Sequence, residues 1–349
     1  MARTDPSRHG ADQPEPLMHR AARVEDAFHS WRARRARKRG FQVTIVPYTG
    51  YGNGQWVRVL CRVVLSRSKA PARQRAEKVR GWRSFFSIPV SDAVVRIQVD
   101  GTDTEVAVER GGVLDTRVPA SLNPGWHTVT LSTADSEPVT AAVHVVAPDT
   151  TFGLISDVDD TVMVTALPRP LLAGWNTFVL DEHARRPVPG MAVLYERLMR
   201  ANPGAPVIYL STGAWNVAPT LSRFLWRHLY PRGPLLLTDW GPTHDRWFRS
   251  GREHKRSSLA QLAQDFPGIR WLLVGDDGQH DEEIYAEFID EHPGHVIAVA
   301  IRQLSTSEAV LAGGRKRAPR YPDEAPWVYA PDGAGLSQQL QQAGILKSS

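Results

Sequence analysis

Apolar and polar positions change their pattern along the chain in a way that marks out its parts. Residues 1–16 are polar and proline-bearing and read as a disordered tail. Over 17–40, Val24, Phe28 and Trp31 fall at i, i+4 and i+7, and Gly40 follows the last cation, which predicts a basic helix stopped by glycine. Residues 41–148 carry short runs rich in Val, Ile and Thr, such as "FQVTIVPYTGYGNGQWVRVLCRVVLS", "VVRIQVD", "TEVAVER" and "WHTVTLS". The turn signals "DGTD", "RGG" and "NPG" separate them, which predicts an antiparallel β-sandwich domain.

From residue 149 strand-like and helix-like patterns alternate. "FGLISDVDD", "APVIYLSTG", "IRWLLVGDD" and "HVIAVAIRQ" are nearly continuous apolar runs. Between them "GMAVLYERLMRANP" sets Met191, Leu194 and Leu198 on one helical face, "APTLSRFLWRHL" reads as a second helix, and a third starts near "KRSSLAQLAQDF". Buried strands alternating with amphipathic helices predict an α/β domain over 149–330 whose parallel sheet is covered on both faces. Residues 331–349 read as a tail or a helix.

Composition narrows the picture without changing it. A chain of 349 residues with 42% hydrophobic and 23% charged residues is globular, and no apolar run approaches the roughly 18 residues that cross a bilayer. "MARTDPSRHGADQPEPLMHR" lacks the apolar core of a secretory signal, so the cytoplasm is the expected location. Cys61 is the only cysteine, which excludes intramolecular disulfides and thiolate-cage metal sites and leaves oxygen or histidine to hold any metal. The net charge of +5 is unevenly spread: "RARRARKR" and the insert "SRSKAPARQRAEKVRGWRSF" carry much of the positive charge. Each is either a solvated surface or a peripheral contact with an anionic membrane. Nucleic acid is an unlikely partner, since no recognition fold accompanies the basic run.

"DVDDT" holds the candidate chemistry. Asp157 and Asp159 would share one side where the strand ends, with Asp160 beside them. Two like charges about 4 Å apart cost about 4 kcal/mol at an effective dielectric near 20, so the pair calls for a proton, a cation or a reaction that uses it. A second acidic cluster, "GDDGQHDEE", closes another predicted strand. Ligands of parallel sheets bind beyond the carboxyl ends of the strands, and hard oxygen donors of this kind suit Mg²⁺.

These pieces resemble a known family. "DVDDT" matches the DxDxT signature of the haloacid dehalogenase superfamily phosphatases, and "YLSTG", Lys255 in "HKRSSL" and "GDDGQHDEEIY" follow in that family's order. Together with "DWGP" and "FRSGREHKRSSL" they are similar to the App1-type phosphatidate phosphatases, over residues 150 to 305. The resemblance implies a Rossmann-like sheet of the haloacid dehalogenase type. It makes Asp157 the nucleophile that forms an aspartyl phosphate, Asp159 the general acid and base, Ser211 a hydrogen-bond donor to the phosphoryl group, and Lys255 its neutralising cation. Thr161, Thr212 and Gly213 are implied beside the phosphoryl group, Thr212 replacing Ser211 if the register slips by one. Mg²⁺ would be held by Asp157, Asp276 and the main-chain oxygen of Asp159, with Asp281 supporting these ligands. Several family members have Ser where Asp277 stands, which leaves the part played by Asp277 open. The cations of "REHKR" keep a solvated face as the alternative for Lys255.

The interval from Thr161 to Ser211 is too short for a large cap domain, and a small lid with Trp175 and Phe178 would leave the site open. Trp240, Trp247 and Phe248 among Arg246, Arg249 and Arg252 suit a phosphate headgroup at an apolar interface, or ordinary loop packing. The expected function is therefore Mg²⁺-dependent hydrolysis of a phosphomonoester, with phosphatidate as substrate. The alternatives are a soluble sugar phosphate or nucleotide as substrate, or a lipid or protein adaptor without catalysis.

Overall fold

A computed structural model describes residues 35–66, 88–91, 93–164, 186–238, 244–278, 280–311 and 324–347, with backbone alone at 110, 244–250 and 311. The expected tail 1–16, most of the basic helix, the basic insert, the lid with Trp175 and Phe178, Trp240, and the side chains of Arg246, Trp247, Phe248 and Arg249 lie outside the described residues. Of the basic helix, 35–38 are helical. Gly40 takes φ +79°, the Phe41 N–H returns to the Ala36 carbonyl and the Gly40 N–H to that of Arg37, closing the helix as a glycine stop should.

Nine strands form the first sheet: β1 (Gln42–Pro47), β2 (Gly50–Asn53), β3 (Trp56–Ser66), β4 (Ile88–Pro89), β5 (Val94–Val99), β6 (Thr102–Ala107), β7 (Val113–Pro119), β8 (Gly125–Thr133) and β9 (Ser136–Val145). The path runs β1-β3-β2-β9-β8-β5-β6, with β4 and β7 on the other edge of β3. Pairing is antiparallel except between β2 and β9, which run parallel. β5 alternates exposed and buried positions along VVRIQV, the mark of a strand with one wet face. β3 has no exposed position, because it has neighbours on both edges and packs against residues of the second sheet.

The second sheet is wholly parallel, in the order β14-β13-β10-β15-β16-β17. Its strands are β10 (Phe152–Asp157), β13 (Val207–Ala214), β14 (Leu235–Thr238), β15 (Arg270–Asp276), β16 (Val296–Arg302) and β17 (Trp327–Ala330). A two-stranded ribbon of β11 (Met163–Val164) and β12 (Arg186–Pro187) stands apart. The helices are α1 (Met191–Ala201), α2 (Ala218–Arg227), α3 (His244–Asp265), α4 (Asp281–Glu291), α5 (Thr306–Leu311) and α6 (Gly333–Gln342). β10 is buried at every residue, as a central parallel strand must be. α1 buries Met191, Leu194 and Leu198, the face that the spacing predicts, and adds Tyr195. Strands β14 and β17 and helix α4 go beyond the predicted series. β17 pairs in parallel with β16, and α6, capped by Asp332 onto the Gly335 N–H, packs on α1 and β17. The final turn meets the start of α1 so closely that a Cβ on Gly333 would lie 2.2 Å from the Gly190 carbonyl carbon.

One buried hydrophobic cluster crosses both sheets, joining Val46, Tyr48, Tyr51, Leu60 and Val64 of the first to Phe152, Trp215, Phe266 and Trp271 of the second. Polar fasteners reinforce it. Asp265, fully buried at the end of α3, accepts from the Tyr51 hydroxyl (3.0 Å) and Gln261 (2.8 Å) and pairs with Arg117. Arg117 also lies over the Trp56 ring at 4.3 Å. Arg58 donates to the Tyr51 hydroxyl (2.7 Å) while holding both oxygens of Asp115 at 2.6 Å. Removing a buried acceptor strands its donors, so Asp265→Ala should cost about 2 kcal/mol, with Asp265→Asn losing less. Denaturant midpoints at constant slope would measure it, and an unchanged midpoint would show that the fastener contributes nothing.

Candidate active site

The carboxyl ends of β10, β13 and β15 converge, and the chain places its acidic residues there. β10 ends at Asp157, and a tight turn follows in which the Val162 and Met163 N–H groups return to the Val158 carbonyl and the Asp160 N–H to that of Met163. The turn needs a left-handed residue, supplied by Asp160 at φ +56°, a conformation that Asp tolerates better than most side chains. It presents Asp157, Asp159 and Asp160 as buried groups.

Lys255 reaches this cluster from α3. Its ammonium donates to Asp157 Oδ1 at 2.7 Å and Asp281 Oδ1 at 2.5 Å, and its side chain is only 3% exposed, so it does not sit on a solvated face. Its cationic neighbours have other partners: Arg252 pairs with Glu283 and Glu287, and Arg256 with Glu287 and Glu291, a ladder that straps α3 to α4. Arg252 thus faces glutamates. Asp281 opens α4, where the helix dipole favours an anion, and its Oδ2 accepts from the Asp276 N–H at 3.3 Å. Gly275 permits that approach, since a Cβ there would lie 2.6 Å from Asp281 Oδ2.

Asp159 turns to β13, where its Oδ2 accepts from the Ser211 hydroxyl at 3.0 Å, and Ser211 Oγ accepts from the Gly213 N–H at 3.0 Å. Ser211 rather than Thr212 faces the acid, and Thr212 is half-buried beside it. Thr161 is buried next to the cluster and its hydroxyl has no partner among the described residues. Asp277 turns away: its Oδ1 accepts from the Leu304 N–H at 2.8 Å, closing the loop after β16. Two groups that sequence reasoning did not single out support the site. Arg302 donates to the Asp160 carbonyl at 2.7 Å and pairs with Glu308, and Thr238 shares its hydroxyl between the carbonyls of Thr212 and Gly213. Neither residue lies in a recognisable pattern, so only the fold could reveal them.

Asp157, Asp276 and Asp281 each bring a carboxylate oxygen within 4.8 Å of the others, close enough to share one cation. Asp276 Oδ1 accepts from the Gly278 N–H at 2.7 Å, whereas Asp276 Oδ2 and Asp157 Oδ2 are buried with no partner among the described residues. Orphaned anionic oxygens in a dry site fit a hard divalent cation. Burial pushes the Asp157 carboxyl well above its usual range and Lys255 opposes this, while Asp281 and Asp159 add to it. Burial raises Asp276 as well, with Asp281, Asp157 and Asp160 adding to it and Lys255 opposing. For Lys255 burial disfavours the charge, but Asp157 and Asp281 overcome that and keep the ammonium protonated. A single ammonium cannot neutralise the surrounding carboxylates.

Fold and site together define an α/β domain with an acid-and-lysine centre at the carboxyl edge of a parallel sheet. Residues 152–303 match the family model of the phosphatidate phosphatase APP1 catalytic domain. A Saccharomyces cerevisiae relative, phosphatidate phosphatase APP1, is 26% identical over 157 residues, 45% of this chain and 26% of that protein. The uncharacterized protein C29B5.04c of Schizosaccharomyces pombe is 27% identical over 155 residues, 44% of this chain and 25% of its own. The chain thus spans about a quarter of the length of each curated relative. Among solved structures, a carbohydrate acetylesterase from Xanthomonas citri is 11% identical, covers 76% of this chain and 68% of its own, and has a TM-score of 0.27, too low to carry an argument.

The raised carboxyls give a stability signature. A folded-state pKa above the ordinary 3.8 means that the folded protein binds more protons than the unfolded chain. Their contribution is therefore fully present below pH about 4 and is lost as the pH rises through the raised values of Asp157 and Asp276. Thermal midpoints in EDTA should show this fall, and millimolar Mg²⁺ should flatten it. Identical profiles with and without the ion would argue against a cation site.

Proposed function

We propose that the protein is a phosphomonoester hydrolase of the haloacid dehalogenase type, a Rossmann-like catalytic domain preceded by a β-sandwich domain. The observation that carries this reading is the buried Lys255 ammonium held between Asp157 and Asp281, with Asp159 and Ser211 alongside. The match of residues 152–303 to the App1 catalytic domain supports it.

In this reading Lys255 orients the Asp157 carboxylate through Oδ1. A carboxylate oxygen of Asp157 bonds to phosphorus as the ester P–O bond breaks, and Asp159 gives its proton to the departing alcohol. Asp159 then takes a proton from water, whose oxygen attacks phosphorus and releases inorganic phosphate, restoring Asp157. With substrate bound, Ser211 turns the one hydroxyl proton it otherwise gives to Asp159 toward the phosphoryl oxygens, Thr161, Thr212 and Gly213 border the same space, and the Lys255 ammonium stabilises the negative charge of the transfer. Mg²⁺ held by Asp157, Asp276 and the Asp159 main-chain oxygen, with Asp281 in support, would supply the positive charge that the carboxylates and phosphoryl oxygens lack.

The substrate class comes from the relative named as a phosphatidate phosphatase, which supports phosphatidate and the products diacylglycerol and phosphate. No described helix is long and apolar enough to cross a membrane. A cytoplasmic protein that reaches its lipid by peripheral contact through basic segments fits this reading.

The test is Mg²⁺-dependent phosphate release from phosphatidate in mixed micelles, beside p-nitrophenyl phosphate and soluble phosphomonoesters. Asp157→Asn should lose turnover by roughly a thousandfold or more while keeping its fold. Activity on soluble esters alone would overturn the lipid substrate, and undiminished turnover by Asp157→Asn would sink the mechanism.

A further inference from the structure

Tyr48 lies in the first domain, in the corner between β1 and β2, yet it reaches the loop that follows Ser211. Its hydroxyl donates to the Trp215 carbonyl at 3.1 Å, and its ring stacks on the Trp215 indole with centroids 4.9 Å apart and planes at 21°. Both side chains are buried.

The segment from Ser211 to Trp215 is held from several sides. Ser211 Oγ bonds Asp159 and the Gly213 N–H, and Thr238 ties the carbonyls of Thr212 and Gly213. Gly251 of α3 presses on the Thr212 side chain, where a Cβ would lie 3.0 Å away. All of these fasteners belong to the catalytic domain. At the far end, the Trp215 carbonyl accepts from the Ala218 N–H of its own turn and, from across the interface, from Tyr48, whose ring also stacks on the indole.

We propose that Tyr48 is a positioning residue for phosphoryl binding: through Trp215 it sets the end of β13 that carries Ser211, and so makes the β domain a working part of the active site. The inference rests on the reading of Ser211 as a phosphoryl-binding group. A second tyrosine hydroxyl across the interface, Tyr51 on Asp265, lies at the distal end of α3 and supplies a matched comparison: each is a buried tyrosine hydroxyl bonded across the same interface.

The experiment measures the dissociation constant of inorganic phosphate by calorimetry in the presence of Mg²⁺, and kcat/KM on p-nitrophenyl phosphate, for the full-length wild type, Tyr48→Phe, Tyr51→Phe, Ser211→Ala and the Tyr48→Phe/Ser211→Ala double variant. Thermal midpoints are recorded in parallel. Tyr48→Phe should weaken phosphate binding and lower kcat/KM by about fivefold, the scale of one net hydrogen bond, while Tyr51→Phe loses stability but stays within twofold of wild type in both. In the Ser211→Ala background Tyr48→Phe should add less than a twofold further change, because its effect passes through Ser211. Equal losses in the two tyrosine variants, or the same loss with and without Ser211, would assign Tyr48 a purely structural role and overturn the inference. A wild type that neither binds phosphate nor hydrolyses the ester would instead overturn the functional reading, and this inference with it; an active wild type with an unaffected Tyr48→Phe would overturn this inference alone.

Discussion

The structure depends on a buried ammonium among buried carboxylates. Asp157 ends β10 and Asp281 opens α4 at the same carboxyl edge of the sheet, and without Lys255 between them the dry pocket would hold like charges with nothing to offset their repulsion. The surrounding architecture delivers that one charge. A long α3 carries Lys255 inward, the glutamate ladder of α4 keeps Arg252 and Arg256 outside, and Gly275 leaves room for Asp281 to close in.

The arrangement also separates two kinds of carboxylate. Asp277 and Asp265 are fully used by the fold, one as an acceptor for a loop N–H and the other as a fastener between domains. Asp157 and Asp276 each keep one oxygen idle in a buried place. Idle anionic oxygens are unfavourable for folding alone, so their survival in a dry pocket is itself a mark of a site that binds something positive.

Much of this was legible in the sequence. The strand-end carboxylates Asp157 and Asp159 and the acidic run beginning at Asp276 stand where continuous apolar strands say a parallel sheet should end, whereas Lys255, inside α3, is marked only by the family resemblance. What escaped has physical reasons. β14 and β17 are four residues each, too short to show a period, and α4 begins inside the acidic motif, so its start signals are hidden by residues that the chemistry uses. The parallel β2–β9 pair could not be foreseen, because local pattern carries strand identity but not partner or direction. Arg302, Thr238 and Tyr48 act through backbone carbonyls, and nothing in a one-dimensional pattern says where a carbonyl will lie.

The interface between the sheets has a consequence for how the chain comes into being. Tyr48 and Tyr51 meet partners 167 and 214 residues further along, so both wait until most of the polypeptide exists. Long-range contacts are slow to form because the loop they close must first be ordered. During synthesis the β domain can complete its own pairing once β9 emerges, yet its tyrosine-lined face stays uncovered until α3 has been made. Until then Val46, Tyr48, Tyr51, Leu60 and Val64, which the second sheet later covers, form an apolar surface open to other chains.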